Sequence, residues 1–203
     1  MILAIDTSTA ACSAALFDSD GACLAHRDEM IGRGHSERLV PMLDEMLDGR
    51  RADGILVGVG PGSFTGIRVG IAAAQGLAIA WDCELQGMSS IALLAAGAPR
   101  EGRVAAAMDG GHGELFVQQF DGPSTEPVSE LYNLPPAAAA HRIDSDLVVG
   151  PAAGKLVEGR GHGRAEEAWP SARNALRLPT ELRSLPPKPV YARAPDARVR
   201  SAA

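Results

Sequence analysis

The 203 residues carry 25 acidic against 19 basic side chains, a formal net charge of -6. Proteins that bind nucleic acid unaided draw most of their affinity from phosphate neutralisation, so this balance argues against an autonomous RNA binder; the candidate basic surface is the run of arginines from Arg160 onward (Arg164, Arg173, Arg177, Arg183, Arg193, Arg198, Arg200). With 46% apolar and 22% charged residues an ordered globular chain is expected except near the C-terminus, and with only 4% aromatics the core must be filled by Leu, Ile, Val and small residues.

Ile2–Asp6 is a short apolar run closing on polar turn residues, the pattern of a buried strand. The N-terminus lacks the basic region of a signal peptide, and no uninterrupted apolar run approaches the roughly 20 residues of a membrane span. The expectation is a soluble, cytoplasmic protein without a membrane partner. Strands at 11–17 and 22–28 flank Asp18-Ser19-Asp20-Gly21, a turn whose residues tolerate positive φ. Cys12, Cys23 and Cys83 have no paired spacing and read as reduced thiols. A helix is predicted over 36–47, capped by Ser36, with Leu39, Val40, Met42, Leu43, Met46 and Leu47 as an apolar stripe and Pro41 just past its first turn. A buried strand at 54–59 runs into Gly60-Pro61-Gly62-Ser63-Phe64-Thr65-Gly66. A helix over 67–81 comes next, apolar or small nearly all round, which must be covered on most sides. A strand at 85–88 and a helix from Ser89-Ser90 to about 98 complete the first half.

Residues 99–102 are a polar break, dividing a lobe of residues 1–100 from one of 101–203, with the last segment a candidate to return to the first lobe. Beyond the break the pattern restarts. Strands fall at 103–108 and 114–120 around a turn at 109–113, a third strand at 125–131, a helix from Pro135 and a strand at 146–149. Strand, hairpin, helix, strand occurs twice, as expected of an internally duplicated α/β unit. After residue 160 the Pro- and Arg-rich sequence gives no assignment.

Two segments are candidates for chemistry. A glycine-rich turn between a strand and a helix N-terminus offers backbone N–H groups to an anion. The segment 60–70 is nevertheless neither GxxxxGK[ST] nor GxGxxG, and a tight turn packed against its neighbours is the favoured reading of it. Asp6 and Thr7 end the first strand, where a carboxylate could face a nucleotide phosphate or could simply satisfy turn backbone. The candidate nucleotide- or anion-binding set is Asp6, Thr7, Gly60, Gly62, Ser63, Thr65, Gly66 and Arg68. His26, His35, His112, His141 and His162 include no pair at ligand spacing, and Leu39 stands four residues after His35, so no metal site is assigned. No nucleophile elbow or local triad is present, and no catalytic residue is assigned.

Ile5-Asp6-Thr7-Ser8, His35-Ser36-Glu37-Arg38 with Pro41, GPGSFTGIR at 60–68, Ala74-Gln75-Gly76-Leu77-Ala78, Asp109 with Gly113-Glu114, and Pro189-Val190-Tyr191-Ala192-Arg193 together resemble the TsaB family, over nearly the whole chain. The resemblance implies two RNase H-like lobes of the actin/sugar kinase/Hsp70 superfamily. It implies a non-catalytic subunit needed, with TsaD and TsaE, to form threonylcarbamoyladenosine next to the tRNA anticodon: a homodimer alone, a TsaD heterodimer through the first two long helices, and tRNA met mainly through the complex. ATP and metal are expected on the partners, not here. The TsaD relatives carry an HxxxH metal pair on the helix corresponding to 36–47, and Leu39 replaces its second histidine. The expected partner interface is His35, Leu39, Met42, Leu43 and Met46 facing Ala72, Ala73 and Gly76. The sequence departs from the family at Gly110-Gly111-His112 and in a shortened stretch between Asp121 and Asp146. Two alternatives stand beside this reading: a stand-alone ATP-dependent acyl or phosphoryl transferase using Asp6 and the Gly60 loop, and a metallopeptidase, which the missing histidine pair disfavours.

Overall fold

The computed structural model describes residues 1–99 and 101–190. In the first lobe β1 (Ile2–Asp6), β2 (Ala11–Phe17) and β3 (Cys23–Met30) form an antiparallel meander. Then come α1 (His35–Leu47), β4 (Gly54–Gly58), α2 (Phe64–Trp81), β5 (Glu84–Met88) and α3 (Ser90–Gly97). The second lobe repeats the scheme with β6 (Arg103–Gly111), β7 (Glu114–Asp121), β8 (Tyr132–Leu134), α4 (Pro136–Ala140), β9 (Leu147–Val149), α5 (Ala153–Arg160) and β10 (Arg164–Glu166). A 3-10 helix (Ala172–Arg177) and a short α6 (Thr180–Arg183) come last.

The sheet orders are β3-β2-β1-β4-β5 and β10-β9-β6-β7-β8. In each, the first strand of the meander pairs in parallel with the fourth, and the fourth with the fifth. Two copies of one RNase H-like topology are the duplicated architecture of the actin/sugar kinase/Hsp70 superfamily.

Local chemistry sets the element ends. Asp18 Oδ1 accepts from the N–H groups of Asp20 and Ala22, and Gly21 takes φ 83°, closing the β2–β3 hairpin. Ser63 and Ser89 cap α2 and α3, accepting from the N–H groups of Gly66 and Ala92. With Ser63 as cap, α2 starts at Phe64, three residues before the apolar pattern suggests. α1 departs from expectation: its cap is Gly34 in the left-handed region (φ 93°), while the Ser36 hydroxyl donates to Glu37. The third strand of the second lobe is also displaced, from the expected 125–131 to Tyr132–Leu134. Asp121 holds Ser124 in a turn, Thr125 has φ 61°, and Pro127 has no N–H for a ladder, so regular pairing with β7 waits until Tyr132.

Alternation along β1 distributes the core. Leu3 and Ile5 face α1 and α2, while Ala4 faces α3. α3 is buried on all sides between the sheets, its Ile91, Leu93 and Leu94 sharing a cluster with Val104, Met108, Phe116 and Phe120. After β10 the chain crosses back. Ser171 Oγ donates to Asp28 and the Ala172 N–H to Ser13, while Ala172, Ala175 and Leu178 enter the core beside α3.

Candidate functional site

The end of β1 lies beneath the start of α2. The Asp6 carboxylate, 1% exposed, accepts from the Ser8 N–H (2.9 Å) and Oγ (2.6 Å) through one oxygen and from Ser90 Oγ (2.6 Å) through the other. The same Ser90 hydroxyl accepts from the Gly60 N–H, so the carboxylate and the glycine-rich loop share one buried network. Burial pushes the Asp6 carboxyl above its ordinary value, against the pull of the Ser8 and Ser90 hydrogen bonds and the charge of His35.

Close approach explains the glycines. A Cβ on Gly62 would overlap the carbonyl oxygen of Ser8, one on Gly66 that of Thr7, and one on Gly70 the Thr7 hydroxyl. The Ser63 N–H donates to Ser8 O (2.7 Å) and Thr7 Oγ1 to Gly66 O (2.7 Å), which fixes the β1–β2 turn to α2. For Asp6 and Thr7 the expectation of an open nucleotide or anion cradle is thereby corrected. Asp6 and Thr7 are enclosed, the N–H groups of Gly60, Ser63 and Gly66 turn inward, and Gly60, Gly62 and Gly66 serve backbone packing. Of the remaining members Ser63 spends its hydroxyl as cap, Thr65 is exposed, and the Arg68 guanidinium lies 3.7 Å over the Phe64 ring.

The expected interface on α1 needs a second correction. Leu39, Met42, Leu43 and Met46 lie in the lobe core with Leu3, Ile5, Leu16 and Val57, because the stripe that reads as a docking face is the one the sheet consumes. His35 is also buried, its Nε2 3.3 Å from Ala11 O. On α2, Ala72 and Gly76 are exposed and Ala73 half-buried, on the side opposite the buried Ile67, Ile71 and Ala74. The sequence-based set omits the large residues of this surface, Ile79 (83% exposed) and Phe64 (54%). The spacing of Ile79 from Ala72 and Gly76 places it on their helical face, which a helical projection could have revealed, while Phe64 stands at the start of the helix. α2 has the length and mean hydropathy of a membrane span, though Arg68 and Gln75 interrupt its apolar run, and here its Ile67, Ile71 and Ala74 pack in the first-lobe core and its Gly66 and Gly70 abut Thr7.

On α1, Arg38 grips Glu29 of β3 through two hydrogen bonds of 2.6 Å and reaches Glu45 at 2.9 Å. The Arg38 hydrogen bond holds the Glu29 carboxyl below its usual value. Burial pushes the Cys12 thiol up to about 12, so it stays protonated and poorly nucleophilic. In the second lobe Asp109, the counterpart of Asp6, is exposed and paired with Lys155 of α5. Among the described residues no three His, Cys, Asp or Glu side chains converge on a point where a metal would sit. Of the basic run, Arg160 binds the carbonyls of Ser145 and Asp146, Arg177 that of Ala96, and Arg164 pairs with Glu166. Arg193, Arg198 and Arg200 lie outside the described residues.

The model of a family described as TsaD: tRNA N6-adenosine threonylcarbamoyltransferase matches residues 28–126. The tRNA threonylcarbamoyladenosine biosynthesis protein TsaB of Escherichia coli (strain K12) is 41% identical over 127 residues, covering 59% of this chain and 54% of that protein. The chain spans about half the length of the curated relatives it matches. The solved structure of YeaZ from Pseudomonas aeruginosa superposes with a TM-score of 0.78 at 32% identity, covering 94% of this chain and 98% of that one. A more distant structure shares the fold alone: the activator of the 2-hydroxyisocaproyl-CoA dehydratase from Clostridium difficile with bound ADPNP, at TM-score 0.50 and 8% identity, covering 87% and 91%.

Proposed function

The chain belongs to the TsaB (YeaZ) family, and from that premise we propose that it is a non-catalytic subunit of the cytoplasmic assembly that forms threonylcarbamoyladenosine in tRNA. Its role is to hold and activate a TsaD partner, with TsaE joining the assembly. Alone it forms a homodimer, and ATP, metal and most tRNA contacts belong to the partners.

The single observation that carries this reading is the outer face of α2. Small residues at Ala72, Ala73 and Gly76 let a second helix approach closely, and the exposed Ile79 and Phe64 give it apolar area to bury. Ile79, 83% exposed, joins Ala72 and Gly76 in a contiguous apolar face, the kind of surface a partner covers. A stand-alone ATP-dependent transferase needs Asp6 open to nucleotide, and the enclosure of Asp6 by Ser8 and Ser90 counts against it.

The test is affinity for the cognate TsaD. Gly76→Arg places a charge where a Cβ meets no atom within 4 Å, so the fold tolerates it. The expected outcome is a thermal melt like wild type with binding weakened about 30-fold or more, the scale of a centrally placed interface residue. Unchanged binding would remove α2 as the docking element.

A further inference from the structure

The segment that closes the described chain runs along the free edge of β5 and ends on the strand that feeds the glycine-rich loop. Leu185 and Gly87 exchange both backbone hydrogen bonds (2.7 and 3.0 Å), so Leu185 pairs antiparallel with the outermost strand. The Ser89 N–H donates to Leu182 O (2.8 Å), fixing the end of α6 to the cap of α3. The Val190 N–H then donates to Val59 O (2.8 Å), the residue between β4 and Gly60. A Cβ on Gly60 would come 3.3 Å from Val190 O, and one on Gly87 would come 2.7 Å from both Pro186 O and Val59 Cγ1. Two of the chain's glycines therefore stand where this segment needs room, and a Cβ on Gly60 would also come 2.9 Å from Ile67 Cδ1 of α2.

We propose that residues 182–190 are a positioning strap for α2: the strap holds Val59, Val59 holds the Gly60 loop, and the loop sets the height and direction at which α2 presents its outer face. The links are continuous. Val59 donates its own N–H to Met88 O and accepts from Val190, so it is gripped from both sides. Gly60 is held by Ser90 through both its N–H and its carbonyl. Ser63, three residues on, is both the helix cap and the donor to Ser8 O. Releasing one side of Val59 loosens the strand–loop junction, while Ile67, Ile71 and Ala74 remain packed in the core that keeps α2 on the sheet.

This inference rests on the docking role of α2 for its consequence but not for its first readout, and the two are separable. Val190→Pro removes the N–H that Val59 accepts, while Val190→Ala keeps it and serves as the rescue control. In the free, full-length protein, hydrogen–deuterium exchange at the Gly60 and Ser63 amides is expected to rise about fivefold in the proline variant, the scale of one net backbone hydrogen bond, and to stay at wild-type level in the alanine variant. Affinity for TsaD should fall in step with that exchange, with the melting temperature following Val190→Ala. Exchange unchanged in the proline variant overturns the strap. Exchange raised but affinity unchanged retains the strap and overturns the docking role of α2. A general rise in exchange across the whole first sheet would show that the segment is ordinary structural support, and overturns positioning.

Discussion

The two lobes begin with the same turn and then diverge. In each, a Gly-Pro pair comes after the fourth strand, and the glycine abuts backbone or core. Gly60 lies against Ile67 and Val190, and a Cβ on Gly150 would overlap the carbonyl oxygen of Ala107. In each, a loop amide donates back to the first strand or its turn, Ser63 to Ser8 O and Ala152 to Ala107 O. The helices beyond the turn differ. α2 has 18 residues and an outer face of small and exposed apolar side chains, whereas α5 has 8 and carries Lys155, Glu158 and Arg160. The carboxylates at the ends of the first strands also part ways, Asp6 enclosed and Asp109 exposed beside Lys155. A turn kept in both lobes for the same packing reason is architecture. The helix that differs is where this molecule's function is to be sought.

That contrast is broken most easily at its best-packed point. Leu43→Glu buries a carboxylate in the α1–sheet core and is expected to cost about 4 kcal/mol, seen as loss of the urea transition, whereas a docking residue would leave the fold standing. Gly66→Val should cost about 3 kcal/mol by the same measurement, since any Cβ there collides with the Thr7 carbonyl. The enclosed Asp6 adds a pH signature. Its folded value lies above the unfolded 3.8, so its contribution is fully present below that value and is lost as pH rises through the folded one. Replacing it by Asn should flatten the fall of stability that urea melts show as pH rises above about 4. The smallest effect is Gly154→Ala in α5, which meets no atom within 4 Å and should gain about 0.5 kcal/mol.

Most of the architecture was legible because it is written in local patterns: period two along β1, Asp18–Gly21 at the hairpin, Ser89 at the cap of α3, and the restart of the pattern after residue 102. The displaced β8 was not legible, since 125–131 has strand-like composition and only Pro127 and the Asp121–Ser124 turn withhold the ladder. At the candidate site the stripe of Leu39, Met42, Leu43 and Met46 was found correctly as a stripe, but an apolar face carries no mark of which neighbour will cover it. The sheet took it. The glycines at 62, 66 and 70 were legible as a close approach, but not what approaches, because Thr7 and Ser8 reach them only through tertiary pairing. Ile79 escaped notice because one isoleucine in an apolar helix looks like core until the opposite face is seen to be buried.

The most direct measurement is a reconstitution of threonylcarbamoyladenosine formation on tRNA from purified components, with the cognate TsaD supplied alone, with this chain, or with its Gly76→Arg variant. The account predicts product with the wild-type chain and TsaD together, none from this chain without TsaD, and severe loss with the variant. Product formed by this chain in the absence of TsaD, or full activity restored by Gly76→Arg, would contradict it.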